Sequence, residues 1–147
     1  MLNHFETLCN LCASSGDESE VRNYILSVLR ERKDVTWEID PLGSLLVQKQ
    51  GKKRAPHKLM ISAHMDEVGL MVKSIDSQGF LRVVPVGGVD AAILPGLRVD
   101  VHTSQGILRG VVGRKPIHLI ESDERTKVTP ISGLFIDLGL PPRKVRE

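Results

Sequence analysis

The spacing of apolar residues changes near residue 67 and divides the chain into two parts. In the first part, apolar positions recur at helical spacing over residues 2–13 and again over 21–29, which predicts two amphipathic helices. Asp17, followed three residues later by Glu20, has the pattern of a capping box at the start of the second helix. Strands are predicted over 36–39 and 44–48, with a turn between them. Residues 1–67 are therefore expected to be α/β in character.

After residue 67 the pattern is one of short strands and turns. Turn residues such as Gly87–Gly88 and Pro95–Gly96 separate apolar runs with little helical periodicity. Strands are predicted over 69–74, 81–85, 98–102, 106–112 and 134–137. This spacing is typical of a small β-barrel. The charged segment 121–126 is predicted to be a short helix or a loop, and two prolines in the tail LPPRKVRE predict the end of regular pairing.

The segment KLMISAHMDEVG, residues 58–69, carries the most chemistry. Its apolar run of Leu59, Met60 and Ile61 predicts a strand buried on both faces. Residues two apart on extended backbone point to the same side, so His64 and Asp66 are expected to project together beyond the strand's carboxyl end. A metal-bound imidazole needs an acceptor for its second ring nitrogen, and Asp66 suits that role. Glu67 points the other way and is not expected to act as a base.

The alternative interpretation of the same two residues is structural. A bare His-x-Asp also arises from a satisfied histidine at a strand end followed by a turn aspartate, and metal signatures carry a false-positive risk. The remaining histidines, His4, His57, His102 and His118, stand in no metal-binding spacing and are predicted to be surface or structural residues. Residue spacing alone leaves both interpretations of the His64 segment open.

Five segments, in order, resemble the M42 family of metallo-aminopeptidases, which includes tetrahedral aminopeptidases and proteins labelled glutamyl aminopeptidase or endoglucanase. They are ASSG at 13–16 with EVR at 20–22, DPLGS at 40–44, SAHMDEVG at 62–69, GVVGRKPIH at 110–118 and LFIDLG at 134–139. The resemblance covers the N-terminal portion of the family only. The tail after residue 139 is where the sequence is expected to depart from the family.

The resemblance implies a fold and a site. The fold is the α/β start of a metallopeptidase catalytic domain, residues 1–67, followed by a β-rich inserted domain of PDZ-like or barrel type, residues 68–140, and a tail, residues 141–147; the whole is truncated. The family has a dinuclear site for divalent metal ions, zinc or cobalt, that removes N-terminal residues from peptides. By resemblance, His64 is a metal ligand and Asp66 is the catalytic-site carboxylate that orients it. The other ligands and the general base lie beyond the matched part.

The implied function is that of an N-terminal fragment of a dinuclear-metal aminopeptidase. Whether the chain is itself an enzyme stays open, and the isolated chain is expected to be inactive because one imidazole does not make a two-metal site. A homo-oligomer or a complementing chain is the expected partner, since 1–67 belong to a larger sheet. Two alternatives are a non-catalytic oligomerisation or binding module and a glycan hydrolase. The second needs two carboxylates flanking the scissile bond, and no such pair is evident.

Composition and charge limit the classes of partner and the cellular compartment that are expected for this chain. Twenty Lys and Arg against eighteen Asp and Glu give a net charge of +2, too small to indicate nucleic acid or an anionic membrane. No stretch approaches the ~20 apolar residues of a membrane helix, and the N-terminus lacks a secretory signal, so a cytoplasmic location is expected. Cys9 and Cys12 fall on the apolar stripe of the first helix, which favours buried structural cysteines over a zinc or redox pair.

Overall fold

The chain forms two compact units, Met1–Glu67 and Val68–Glu147. The structure, a computed structural model, describes residues 2–51, 53, 56–119 and 126–147. The predicted helix or loop over 121–126 lies outside the described residues except for Thr126. Within the described residues, no helix has the length and apolar character needed to cross a membrane.

The first unit contains two helices and a β-hairpin. Helices α1 and α2 span Leu2–Asn10 and Ser19–Leu29, and strands β1 and β2 span Val35–Ile39 and Leu45–Lys49. The strands pair antiparallel. Asp40 shapes their turn, because its Oδ1 accepts hydrogen bonds from the backbone of Leu42 at 2.9 Å and Ser44 at 2.8 Å. Ala13, Val21 and Leu26 are the buried apolar residues of this unit.

The predicted capping box does not form. Helix α2 begins at Ser19 with Glu18 at its N-cap, and no side chain bonds the cap. The carboxylate of Glu20 instead accepts a hydrogen bond from the backbone of Cys12 at 3.0 Å. Because the Glu20 carboxylate bonds the loop before the helix, it does not form the capping hydrogen bond at the start of α2.

Two apolar segments expected to be buried are exposed. Leu59, Met60 and Ile61 are 87–88% exposed, and residues 58–66 form no named strand. The prediction of a buried strand there is wrong in this structure, because the described part of the chain places no paired strand beside the segment. The residues retain the composition of a strand and lack the hydrogen-bonded neighbours that define one.

Helix α1 likewise keeps its apolar stripe uncovered. It contains no buried residue, and Phe5 is 68% exposed. Cys9 is exposed and Cys12 is half-buried, so the prediction of two buried cysteines is wrong. The periodic pattern identified the face that a neighbour would cover, but no described element covers it.

The second unit is a five-stranded antiparallel sheet. Its strands are β3 Gly69–Ile75, β4 Leu81–Val86, β5 Arg98–Thr103, β6 Gly106–Arg114 and β7 Leu134–Asp137, followed by helix α3, Pro142–Arg146. The strand order is β3-β4-β7-β6-β5. The sheet curls into a half-barrel, and the described strands do not close into the predicted barrel, since β3 and β5 stay at its edges. Its core consists of Leu81, Val83, Leu94, Val112, Leu134 and Ile136.

The tail belongs to the second unit. Two prolines were expected to end regular structure, but Pro141 stands at the N-cap of α3 and Pro142 opens the helix. Proline suits the first helical position because its fixed φ is already helical and its missing N–H has no intrahelical partner there. Val145 packs against the core, and Arg146 donates to the carbonyl of Asp76 at 2.7 Å.

Asp76 makes the folding stability of the second unit depend on pH at the acid end of the scale. Partial burial raises the pKa of the Asp76 carboxyl, but hydrogen bonds from Phe80, Arg82 and Gln78 together outweigh it and hold the pKa below its usual range. A carboxyl with a depressed folded-state pKa stabilises the fold above its unfolded pKa of about 3.9, and this stabilisation is lost as the pH falls through the folded value. We therefore expect Asp76→Asn to lower the melting temperature at pH 6 and the deficit to shrink towards pH ~2.5. Circular dichroism melts of both chains across this range measure it, and a deficit independent of pH would contradict the assignment.

Candidate functional site

His64 and Asp66 lie side by side in the first unit. The imidazole Nδ1 of His64 is 3.3 Å from the Asp66 Oδ1 and 2.9 Å from the backbone carbonyl oxygen of Asp66. Both oxygens are acceptors, so this geometry suits a proton on Nδ1 and leaves the lone pair of a neutral imidazole on Nε2. The side chain of His64 is 86% exposed. Its imidazole is therefore accessible to an incoming group.

The second carboxylate oxygen of Asp66 has its own partner. Ser15 Oγ donates to Asp66 Oδ2 at 2.5 Å. This hydrogen bond, with a smaller effect from His64, outweighs partial burial and holds the pKa of Asp66 below its usual range. The carboxylate is thus ionised near neutral pH, with one oxygen facing the imidazole and the other facing Ser15.

The loop that carries Ser15 is fixed to the segment after Asp66 by backbone contacts. Ala13 accepts a hydrogen bond from the Glu67 amide at 2.7 Å, and the Ala13 amide donates to the Glu67 side chain at 3.3 Å. Ser14 and Glu67 form a parallel bridge. The carboxylate of Glu67 therefore accepts a hydrogen bond from the backbone of the loop that carries Ser15.

The described residues do not make a dinuclear metal site by themselves. Such a site needs several ligands, and the pair offers one ligand nitrogen with a carboxylate engaged in orienting it. In the part of the chain that the structure describes, no group of three or more His, Cys, Asp or Glu side chains could hold a metal ion. His4, for example, contacts the Tyr24 hydroxyl at 2.7 Å. His64 and Asp66 fit one corner of a metal site and not the whole.

An open groove in the same unit runs beside the pair. It has a volume of about 1160 Å³ and is lined by α2, β1, β2, the turn between the two strands, Leu8 of α1 and residues 60–66, including His64 and Asp66. Small-molecule pockets are ~300–1,000 Å³, so this groove has room for a polypeptide segment. Much of the lining is apolar, with Val21 and Ile25 from α2 and Leu45 and Val47 from β2.

Comparison with known proteins assigns the family. The sequence profile of the M42 glutamyl aminopeptidase family matches residues 43–147, which includes the tail that was expected to depart from the family. The chain is similar to the glutamyl aminopeptidase of Lactococcus lactis subsp. cremoris, at 37% identity over 90% of this chain and 38% of the relative. Across the first curated relatives it spans 36–38% of their length.

Two of the solved structures to which the chain is similar are likewise aminopeptidases or peptidases. The TET aminopeptidase of a marine sediment thaumarchaeon, Thaumarchaeota archaeon SCGC AB-539-E09, matches at a TM-score of 0.88 and 33% identity over 98% of this chain and 39% of that one. The TET1 peptidase of Pyrococcus horikoshii, described as able to assemble into a tetrahedron or a large octahedral shell, matches at 0.76 and 36% over 98% and 42%. The chain belongs to the M42 family of aminopeptidases and has part of that family's fold.

Proposed function

We propose that this chain supplies the N-terminal part of an M42 metallo-aminopeptidase, which removes N-terminal residues from peptides. His64 is one ligand of a divalent metal ion, zinc or cobalt, and Asp66 orients it. The observation that carries the proposal is the contact between His64 Nδ1 and Asp66 Oδ1 in a chain of this family. That contact leaves Nε2 able to bind a metal, because a carboxylate that accepts from one ring nitrogen fixes the tautomer in which the other nitrogen is a ligand. The other ligands and the base come from family regions that this chain does not match.

The groove supports a complementing polypeptide as the partner. Strand β2 pairs only with β1 among the described residues, so its other edge is open, and the exposed Leu59, Met60 and Ile61 lie in a segment that also lacks a strand partner. Unpaired edges and apolar faces of this kind associate with further strands. We propose that the remainder of an M42 catalytic domain, in the same or another polypeptide, fills this groove and brings the missing ligands to His64.

A second candidate function is a non-catalytic assembly module. It is favoured by the second unit, which has a buried core of its own and, among the described strands, two sheet edges without a partner. It is also favoured by relatives that form shells or dodecamers. Under this proposal the chain forms homo-oligomers through its β-rich unit and His64 has no catalytic use.

The glycan hydrolase alternative is weaker, because the acidic neighbours Asp66 and Glu67 are engaged with Ser15 and Ala13. A cytoplasmic location remains part of the proposal.

A chimeric enzyme separates the two candidates. Residues 1–147 of this chain replace the matching N-terminal part of the thaumarchaeal TET aminopeptidase, which this chain resembles over 39% of its length. The proposal predicts that the chimera hydrolyses an aminoacyl chromogenic substrate and binds two metal ions per chain. The parent enzyme is the positive control, and circular dichroism with light scattering verifies folding and assembly. A folded, assembled chimera that neither binds metal nor turns over would favour the assembly module.

A further inference from the structure

The hydrogen bond from Ser15 to Asp66 gives this serine a specific place in the candidate site. Asp66 has two carboxylate oxygens with different tasks, since Oδ1 lies 3.3 Å from His64 Nδ1 and Oδ2 accepts from Ser15 Oγ at 2.5 Å. A hydroxyl that donates to an ionised carboxylate forms a charge-assisted hydrogen bond, the stronger class. Ser15 therefore restricts the rotation of the carboxylate that faces the imidazole.

Backbone contacts of the neighbouring residues hold the loop that carries Ser15. The preceding residues are held by the two Ala13–Glu67 hydrogen bonds and by the Ser14–Glu67 bridge, and Ala13 is 2% exposed. On the other side, the backbone of Asp17 donates to the carbonyl of Ser14 at 2.8 Å. Removing the hydroxyl should leave the loop in place, which separates a positioning role from a folding role.

We propose that Ser15 is a positioning residue: it holds the Asp66 carboxylate in the rotamer that keeps the His64 proton on Nδ1 and presents Nε2 outwards. The use of Nε2 as a metal ligand rests on the proposed function, whereas the tautomer is a property of this chain alone. A competing acceptor is present, because the backbone carbonyl of Asp66 is 2.9 Å from the same Nδ1. The inference is that the carbonyl alone does not fix the tautomer and that the carboxylate held by Ser15 does.

The tautomer can be measured directly on the metal-free 147-residue chain. Long-range ¹H–¹⁵N correlation spectra of ¹⁵N-histidine-labelled protein at pH ~8.5, above the ordinary histidine pKa of about 6.5, distinguish Nδ1–H from Nε2–H imidazoles. His64→Gln assigns the His64 signals among the five histidines. We expect His64 to be mainly the Nδ1–H tautomer in the unaltered chain.

Ser15→Ala should lower the ratio of Nδ1–H to Nε2–H by about threefold or more, the scale of one net hydrogen bond. Ser15→Thr keeps a hydroxyl and should keep the ratio. Ser19→Ala is the matched control, because Ser19 Oγ donates to Asp17 Oδ1 at 2.9 Å in the same region without contacting the pair. Asp66→Ala should shift the ratio at least as far as Ser15→Ala does.

Three outcomes would overturn the inference. If Asp66→Ala shifts the ratio and Ser15→Ala does not, the carboxylate acts without help from Ser15. If neither variant shifts it, the carbonyl of Asp66 fixes the tautomer alone. If Ser15→Ala loses the Ala13–Glu67 pairing, seen as loss of amide protection at Glu67, the serine has a folding role. None of these depends on activity, so an inactive chimera would leave the inference intact and a failed tautomer test would leave the proposed function intact.

Discussion

Replacing His64 by alanine in the chimeric aminopeptidase is expected to lower kcat/KM by about 100-fold or more. Loss of a residue that only orients a ligand already costs ~10–100-fold in metal affinity or activity, and loss of the ligand itself removes the metal contact. Asp66→Asn should therefore fall in the ~10–100-fold range, below the effect of His64→Ala. Steady-state kinetics and metal content, measured together, separate a loss of metal from a loss of turnover.

The matched control for this experiment is His102→Ala. His102 is an exposed histidine on β5, in the second unit, and the proposal gives it no part in catalysis. It should leave kcat/KM within about twofold, a range too small to reflect a lost ligand. An equal loss in both variants, or full activity without His64, would contradict the assignment of His64 as a ligand.

Replacing Leu134 by alanine is expected to lower the free energy of unfolding of the second unit by about 2–5 kcal/mol. Leu134 is 1% exposed and packs in the core with Val112 and Ile136, so the substitution removes buried methyl groups and leaves a cavity. The matched control is Leu119→Ala, because Leu119 is 58% exposed and the same deletion there creates no buried cavity. Urea unfolding followed by circular dichroism measures both. Equal losses would contradict a core centred on β7.

The strands of the second unit were predictable from the sequence to within two residues. All five predicted strands, 69–74, 81–85, 98–102, 106–112 and 134–137, form, because glycine and proline turns separate short apolar runs there. Closure into a barrel was not predictable from that pattern. Pairing of β4 and β6 with β7, which leaves β3 and β5 at the edges, depends on contacts between strands that are distant in sequence.

The first unit shows where sequence patterns stop being informative. The stripe of α1 and the run of Leu59, Met60 and Ile61 indicated which faces a neighbour would cover, but not which neighbour does so. The capping box failed for a similar reason, since Glu20 bonds the backbone of Cys12. Local sequence patterns set the propensity of a segment for helix or strand, and tertiary contacts decide whether that structure forms and which face it buries.

Of the two contacts made by Asp66 in the candidate site, one could be predicted from the sequence and the other could not. The contact of His64 with Asp66 follows from a spacing of two residues and was predictable from the chain itself. The contact of Ser15 with Asp66 joins residues 51 positions apart. Within the sequence, Ser15 is one of two serines before a glycine, a pattern typical of turns. The pairing of Ala13 and Ser14 with Glu67 brings the loop of Ser15 to the segment that carries the carboxylate.

The proposal that His64 and Asp66 form one part of an M42 site, which needs ligands from elsewhere, can be tested on the purified 147-residue chain alone. The chain is assayed on an aminoacyl chromogenic substrate with zinc or cobalt added, and its metal content is measured. We expect no turnover above the buffer rate and no tightly bound metal. Turnover by the isolated chain that disappears in its His64→Ala variant would contradict it.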